Sequence, residues 1–259
     1  LSLHDALPIL RRTETGEYID PMPYFKHLLK DSKAPVGTLI GIYPIQGKGV
    51  VNGSSHKKLL AIGNLKQPVH AWGEIYTGIS AKDYMDGTSN FYGVHSVTLY
   101  VDSVQVFNST TDKVLPDENR MINGFTDYEE LTRTRRLIMR SYKLPGNRLR
   151  LLHPNENRGA VTIDEERDYH FRYVLEDNFG NRRTYQFIVK GKRQDIPEYK
   201  PEANEMLYWN RTNVIQKPGM ELVVPRYYVY EDVPLRTDMR GDSSHIAFDY
   251  ILDAGRTQI

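Results

Sequence analysis

Val94-His95-Ser96-Val97-Thr98-Leu99-Tyr100-Val101-Asp102-Ser103-Val104-Gln105-Val106-Phe107 is the stretch that decides the fold. Val97, Leu99 and Val101 alternate with amphipathic residues, Asp102-Ser103 interrupts, and Val104 and Val106 resume the alternation. A period of two lays one apolar face on a sheet, and a two-residue polar break between two such runs reads as a tight hairpin. The same period recurs on both sides. Upstream, Val69, Ala71, Gly73, Ile75, Thr77 and Ile79 fall on one face of a strand expected over 69–81, with Asp86-Gly87 as the turn beyond it. Residues 38–45 and 50–51 are expected as two short strands separated by Gly47 and Gly49. Downstream, strands are expected at 148–152, 159–163, 169–176 and 183–189. The last two flank Asp177-Asn178-Phe179-Gly180-Asn181, a turn-rich hairpin connection.

Two segments break this pattern. Asp20 is a good helix cap and Pro21 suits the first helical position, with Met22, Phe25, Leu28 and Leu29 spaced as one apolar face. Thr126-Asp127-Tyr128-Glu129 reads as a capping box opening a helix over 126–142, with Tyr128, Leu131, Ile138 and Met139 on one stripe and Pro145-Gly146-Asn147 closing it. The expected organisation is mainly β. An Ig-like β-sandwich covers 36–192 with an inserted helix near 126–142, preceded by a short strand–helix segment at 11–35. A polar linker at 193–204 and a second, incomplete β unit at 205–259 follow, the latter opening with strands at 220–224 and 227–230.

Composition narrows the function classes. The 259 residues contain no cysteine, which excludes disulfide frameworks, thiolate zinc fingers and cysteine nucleophiles. Lys+Arg is 34 and Asp+Glu 33, so the formal net charge is +1, without the basic footprint of a nucleic-acid-binding domain. No apolar run approaches the ~18 residues of a membrane span. Tyrosine, at 18 against 8 phenylalanines, pairs an apolar ring with a wet hydroxyl and suits half-exposed sheets.

Candidate chemistry is sparse. His56, His70, His95, His153, His170 and His245 show no H-x-H or H-E-x-x-H spacing, so zinc has no local seed. Lys82-Asp83-Tyr84-Met85-Asp86-Gly87 and Glu176-Asp177-Asn178-Phe179-Gly180-Asn181 place carboxylates at strand ends before a glycine. That pattern serves calcium loops and ordinary tight turns alike, and the turn is the preferred reading. Asp164-Glu165-Glu166 reads as a solvated turn rather than a glycosidase dyad, because adjacent carboxylates on a strand face opposite ways. Arg133, Arg135, Arg136, Arg140, Lys143, Arg148 and Arg150 form a basic stretch, read as an exposed face, with contact to an anionic envelope polymer as the rival. Arg240-Gly241-Asp242 and the sequons at Asn52, Asn108 and Asn210 carry no context that makes them functional. No phosphate loop, nucleophile elbow or dinucleotide fingerprint is present. The expected catalytic, metal-binding and cofactor-binding sets in this chain are therefore empty.

The ends read as joins. Leu1-Ser2-Leu3-His4-Asp5-Ala6-Leu7-Pro8-Ile9 matches, residue for residue, the translation of the tail of a common sequencing adapter, and Leu10 would be a hybrid codon. Residues 1–10 are accordingly set aside, His4 and Asp5 included, and the natural sequence is expected to begin near Arg11 inside a longer protein. Residues 250–259 stop just after a turn, where another strand is expected to pair back.

From Arg11 onward the chain resembles a known family. Arg11-Arg12-Thr13-Glu14-Thr15-Gly16-Glu17-Tyr18-Ile19-Asp20-Pro21-Met22-Pro23-Tyr24-Phe25 is similar to the segment that closes the catalytic domain of lysostaphin/LytM-type zinc metallopeptidases. Tyr43-Pro44-Ile45, Val51-Asn52-Gly53-Ser54-Ser55, Ala71-Trp72-Gly73 and Asp83-Tyr84-Met85-Asp86 resemble the C-terminal extension of the Bacteroidetes-type members. So do Gly146-Asn147-Arg148-Leu149-Arg150, Thr162-Ile163-Asp164-Glu165-Glu166-Arg167 and Tyr208-Trp209-Asn210-Arg211. The resemblance implies a parent that cuts peptidoglycan cross-link peptides with zinc held by two histidines and an aspartate, all upstream of Arg11. It implies for this chain a non-catalytic portion, with no cofactor of its own, in the bacterial periplasm or cell envelope. Its partners would be the missing catalytic domain and peptidoglycan or an envelope protein, not nucleic acid. The competing expectation is a stand-alone Ig-like binding or adhesion module.

Overall fold

The computed structural model describes residues 10–240 and 249–254, and the fold is mainly β. Two short strands open it, β1 (Leu10–Arg11) and β2 (Tyr18–Ile19), then the one-turn helix α1 (Met22–Phe25) runs into a 3-10 turn at Lys26–Leu28. The central strands follow: β3 (Val36–Val51), β4 (Lys58–Ala61), β5 (Val69–Tyr84), β6 (Phe91–Tyr92), β7 (Ser96–Val101), β8 (Val104–Thr110) and β9 (Lys113–Val114). A 3-10 segment at Pro116–Phe125 leads to α2 (Tyr128–Thr134), then β10 (Met139–Arg140), β11 (Leu152–Pro154), β12 (Val161–Ile163), β13 (Asp168–Glu176) and β14 (Arg182–Gly191). Beyond 204 come β15 (Glu205–Leu207), β16 (Asn213–Lys217), β17 (Met220–Val224), β18 (Val233–Arg240) and β19 (Asp249–Asp253).

One sheet in the order β11-β8-β7-β13-β14-β5-β3-β4 curls over a single core, with β6, β10 and β12 added along the long β5. The β14–β5 pair is parallel, Val189 opposite Val69, and the other pairings of this sheet are antiparallel. Ile40, Ile42, Ile75 and Ile79 from β3 and β5 share the core with Leu99, Phe107, Phe171, Tyr173, Leu175 and Phe187 from β7, β8, β13 and β14. Each such side chain contributes about 1.5–3 kcal/mol by leaving water. The Tyr173 hydroxyl is satisfied inside this core by Thr77 at 2.7 Å and Ser141 at 2.8 Å.

The hairpin at 94–107 forms as its sequence requires. Asp102 and Ser103 take φ of 49° and 71°, a turn whose twist matches that of the flanking strands. The alternation over 69–81 is also realised, with Val69, Ala71, Ile75, Thr77 and Ile79 buried.

Several expectations are corrected. The glycines at 47 and 49 do not separate two strands. β3 runs through them with a register shift against β5 between Pro44 and Gly49, because a bulge absorbs the irregularity. Only glycine fits there: a Cβ at position 49 would lie 2.0 Å from the Glu74 carbonyl oxygen. The helix over 126–142 is a short one. It starts from Asp127, whose carboxylate accepts the Glu130 amide, and stops at Arg135 in a left-handed conformation. Met139 is then taken by strand pairing opposite Ile79, beside a fully buried Ile138, which outweighs a helical stripe. The apolar face at Met22, Phe25, Leu28 and Leu29 is not buried, and Leu28 is 67% exposed, because the chain turns extended at Leu29 after little more than a turn of helix. Residues 148–151 are irregular and end in a turn at 150–151, leaving β11 to begin at Leu152. Residues 227–230 are likewise a turn, with Tyr227 at φ 68°.

Leu10, set aside with the adapter stretch, pairs with Ile19, and β2 pairs in turn with β9 through Tyr18–Val114 and Ile19–Lys113. Strands β15 to β19 surround a second core of Leu207, Ile215, Val224, Val229, Val233 and Leu235. Tyr230 crosses to the first core, where its hydroxyl donates to the Arg120 carbonyl at 3.0 Å.

Candidate functional site

Where β2 and α1 lie against β6, the residues just before β7, β9 and the β13–β14 turn, a cavity of about 480 Å³ opens. Tyr92, Phe91 and Phe179 supply aromatic wall, and Asp20, Asp31, Asp83 and His95 supply the polar lining. Such a cavity with a few convergent titratable groups is the physical profile of a binding site.

Each polar group is placed by local structure. Asp20 follows β2, and its amide donates to the Asp112 carbonyl beside β9 at 2.8 Å. Its Oδ1 accepts the Met22 amide at 2.9 Å, leaving Oδ2 facing His95 Nδ1 at 3.5 Å. That separation is long for a hydrogen bond, and both atoms are buried without one. The contact with Asp20 raises the His95 pKa against the opposing effect of burial. Burial pushes Asp20 up, but His95 and the Met22 amide hold it below the usual aspartate value.

The second group is a trio of aspartates. Asp31 comes from the polar stretch after α1, Asp83 from the end of β5, and Asp177 from the start of the β13–β14 turn. One carboxylate oxygen from each lies within 4.8 Å of the others. Asp177 is 2% exposed, and its Oδ1 accepts the amides of Phe179 and Asn181, both at 2.8 Å, which fixes the turn. Asp83 is 8% exposed and accepts the Tyr84 amide. Burial first, and the charge of Asp177 and Asp31 after it, push Asp83 up to about 7. Asp31 is raised chiefly by burial; its Oδ1 accepts the Lys33 amide and its Oδ2 is buried with no partner. Of the four buried side-chain polar atoms without a partner among the described residues, three belong to this cavity: Asp20 Oδ2, Asp31 Oδ2 and His95 Nδ1. Oxygen donors from three chain segments are chemically suited to a hard cation.

The structure sorts the residues singled out by sequence. It brings together the two carboxylate loops at 82–87 and 176–181, through Asp83 and Asp177, and adds Asp31. His56, His153 and His170 are exposed and scattered. Asp164, Glu165 and Glu166 are exposed as a turn. The basic stretch at 133–150 disperses: Arg133 pairs with Glu130, Arg150 with Glu118 and Glu17, Arg148 lies over the Tyr227 ring, and Lys143 donates to the Leu149 carbonyl. Asn108 is engaged with Ser96 and Thr98 across the β7–β8 hairpin. Gly241, Asp242 and His245 lie outside the described residues, as do residues 1–9 with His4 and Asp5. No helix among the described residues is long and apolar enough to cross a membrane.

Comparison with known proteins adds one finding. A family profile described as the Zu5-like domain matches residues 204–259, the second β unit. No curated protein and no solved structure matches the chain.

Proposed function

We propose that this chain is the non-catalytic, β-rich extension of a cell-envelope zinc metallopeptidase, acting as a positioning and binding module beside the catalytic domain of a parent that hydrolyses peptidoglycan cross-link peptides. The observation that carries the reading is how the segment resembling the end of that catalytic domain sits. It is held against the β-rich body by a small sheet of its own and by side-chain contacts, rather than only tethered to it. β2 shares a sheet with β9, and Arg150 donates to Glu17 at 3.2 Å and to Glu118 at 2.9 Å. Lys26 reaches the Asn178 carbonyl at 2.9 Å. A strand shared in this way fixes the orientation of what precedes it, where a flexible linker would leave it free. The natural surroundings of such a module are the periplasm or cell envelope, with peptidoglycan or an envelope protein as its outside partner.

A stand-alone Ig-like binding or adhesion module is the second reading, and an aromatic-walled cavity with a few convergent titratable groups supports a binding role. The genomic sequence upstream of Arg11 separates the two. An H-x-H within about ten residues supports the peptidase parent, and its absence overturns that parent. The purified chain is expected to bind no stoichiometric zinc and to leave peptidoglycan uncleaved. Zinc-dependent turnover by this chain would refute the non-catalytic assignment.

A further inference from the structure

We propose that the outer face of β13 and β14 carries a binding groove for an anionic glycan, a sugar chain whose carboxylates are held by Lys66 and Arg172. The proposal deepens the binding role given above and rests on that role, not on the peptidase parent.

The groove exists because β5 covers only the end of β14. The two strands pair over Val189–Gly191, opposite Val69–Ala71. Ahead of that point the loop Leu65–Pro68 stands beside β14 instead. This loop, Ser103 of the β7–β8 turn and the β13–β14 face line a cavity of about 450 Å³. Alternation sorts the side chains: Phe171 and Phe187 enter the core, while His170, Gln186, Ile188 and Lys190 are exposed and Arg172 is half-buried. The register sets Arg172 opposite Gln186 on one side and opposite Tyr100 of β7 on the other.

Charge decides what fits. Lys66, Arg172 and Lys190 line the groove and no Asp or Glu does, in a chain whose acids and bases balance. Lys190 is neutralised by Asp168 at 3.0 Å. Lys66 and Arg172 enter none of the ion pairs among the described residues. The Arg172 guanidinium lies over the Tyr100 ring, 4.2 Å from its centre, a contact that steadies the group without using its N–H donors. A planar guanidinium fork and an ammonium are the natural partners of a carboxylate.

The rest of the lining selects a glycan. Gln67, Gln186 and Ser103 both donate and accept, as sugar hydroxyls require. A protein partner would want a large apolar or aromatic anchor, but Phe171 and Phe187 are 1% and 4% exposed and belong to the core. A nucleic acid would want open aromatic faces for its bases, and the Tyr100 face is taken by Arg172.

The test titrates the whole purified chain by calorimetry with an oligogalacturonate, a sugar chain carrying a carboxylate on each ring, and with its methyl ester. The acid is expected to bind at one site, more weakly as salt is added, and about tenfold more tightly than the ester. Lys66→Gln and Arg172→Gln should each weaken it about tenfold, and Arg172→Lys, which keeps the charge, should lose less. Lys200→Gln, in the linker, should leave binding unchanged. Lys66 is exposed in its loop, so its variant should melt as wild type does and keeps the test readable if Arg172→Gln unfolds. No binding of the acid at millimolar concentration overturns the proposal. So does equal affinity for the ester, undiminished binding by the Lys66 variant, or tighter binding of polyphosphate or oligothymidylate. None of these outcomes touches the H-x-H expected upstream of Arg11, so the groove and the peptidase parent fail separately.

Discussion

Replacing Asp127 by alanine is expected to cost about 2–4 kcal/mol, and the estimate comes from three contacts of one side chain. Asp127 is 2% exposed; its Oδ1 caps α2 by accepting the Glu130 amide, and its Oδ2 accepts from Tyr43 at 2.9 Å and Lys57 at 2.7 Å. The cap is worth about 1 kcal/mol. Stranding the Tyr43 hydroxyl, itself 5% exposed as a residue, costs about 1–3 kcal/mol. Lys57 is not stranded, because Glu129 and Glu130 remain at 3.3 and 3.5 Å, so no uncompensated charge is added. Asp127→Asn keeps the cap through its one carbonyl oxygen, but its NH2 group replaces the oxygen that accepted from Tyr43 and Lys57, so the loss is again about 1–3 kcal/mol and comes from those two contacts. Urea unfolding followed by tyrosine near-UV circular dichroism reads both, with m unchanged. At about 2–4 °C per kcal/mol for chains of this size, the alanine variant should melt about 5–15 °C lower. The sign with pH follows too. Burial pushes Asp127 up, but Lys57 and the Glu130 amide hold it below its ordinary 3.8, so its contribution is present above that value and disappears as acid is added through the lowered one. An alanine loss below about 1 kcal/mol, the cap alone, would refute the network.

Two further outcomes test the fold and the cavity. Ser103→Gly should stabilise the β7–β8 hairpin by about 1 kcal/mol, since it removes a left-handed penalty at φ 71° without touching the Asp102 contacts to Arg167 and His170; a destabilised variant in urea melts would contradict the assigned turn. His95 is raised by Asp20, so the pair contributes stability below about pH 6.5 that is lost as pH rises through the raised value. Asp83, raised to about 7, loses stability in the same direction, so the readout is the difference between wild type and His95→Gln in EGTA between about pH 6 and pH 8. An unchanged slope in the variant would remove His95 from the account.

The hairpin at 94–107 and the 69–81 strand were readable because a half-buried strand writes its two faces directly into alternate residues. The helix over 126–142 was misread for the opposite reason. Ile138 and Met139 are apolar at helical spacing, yet Met139 pairs with β5, a partner more than fifty positions away that no local window contains. The carboxylate loops at 82–87 and 176–181 were visible as turns with a cation-binding alternative. Asp31 was not visible, because Lys30-Asp31-Ser32-Lys33 looks like any polar connector.

What the sequence determined by itself is the class of the molecule: mainly β strands with polar turns, no cysteine chemistry, and charges balanced at +1. These are local or additive properties, set residue by residue. Only the tertiary structure decided that the opening strands pair with β9 in a small sheet of their own, and that Asp31, Asp83 and Asp177 meet. The reason is that the closing of a curled sheet brings together chain ends far apart in sequence. The pKa of a carboxylate depends on which charges that closure leaves beside it.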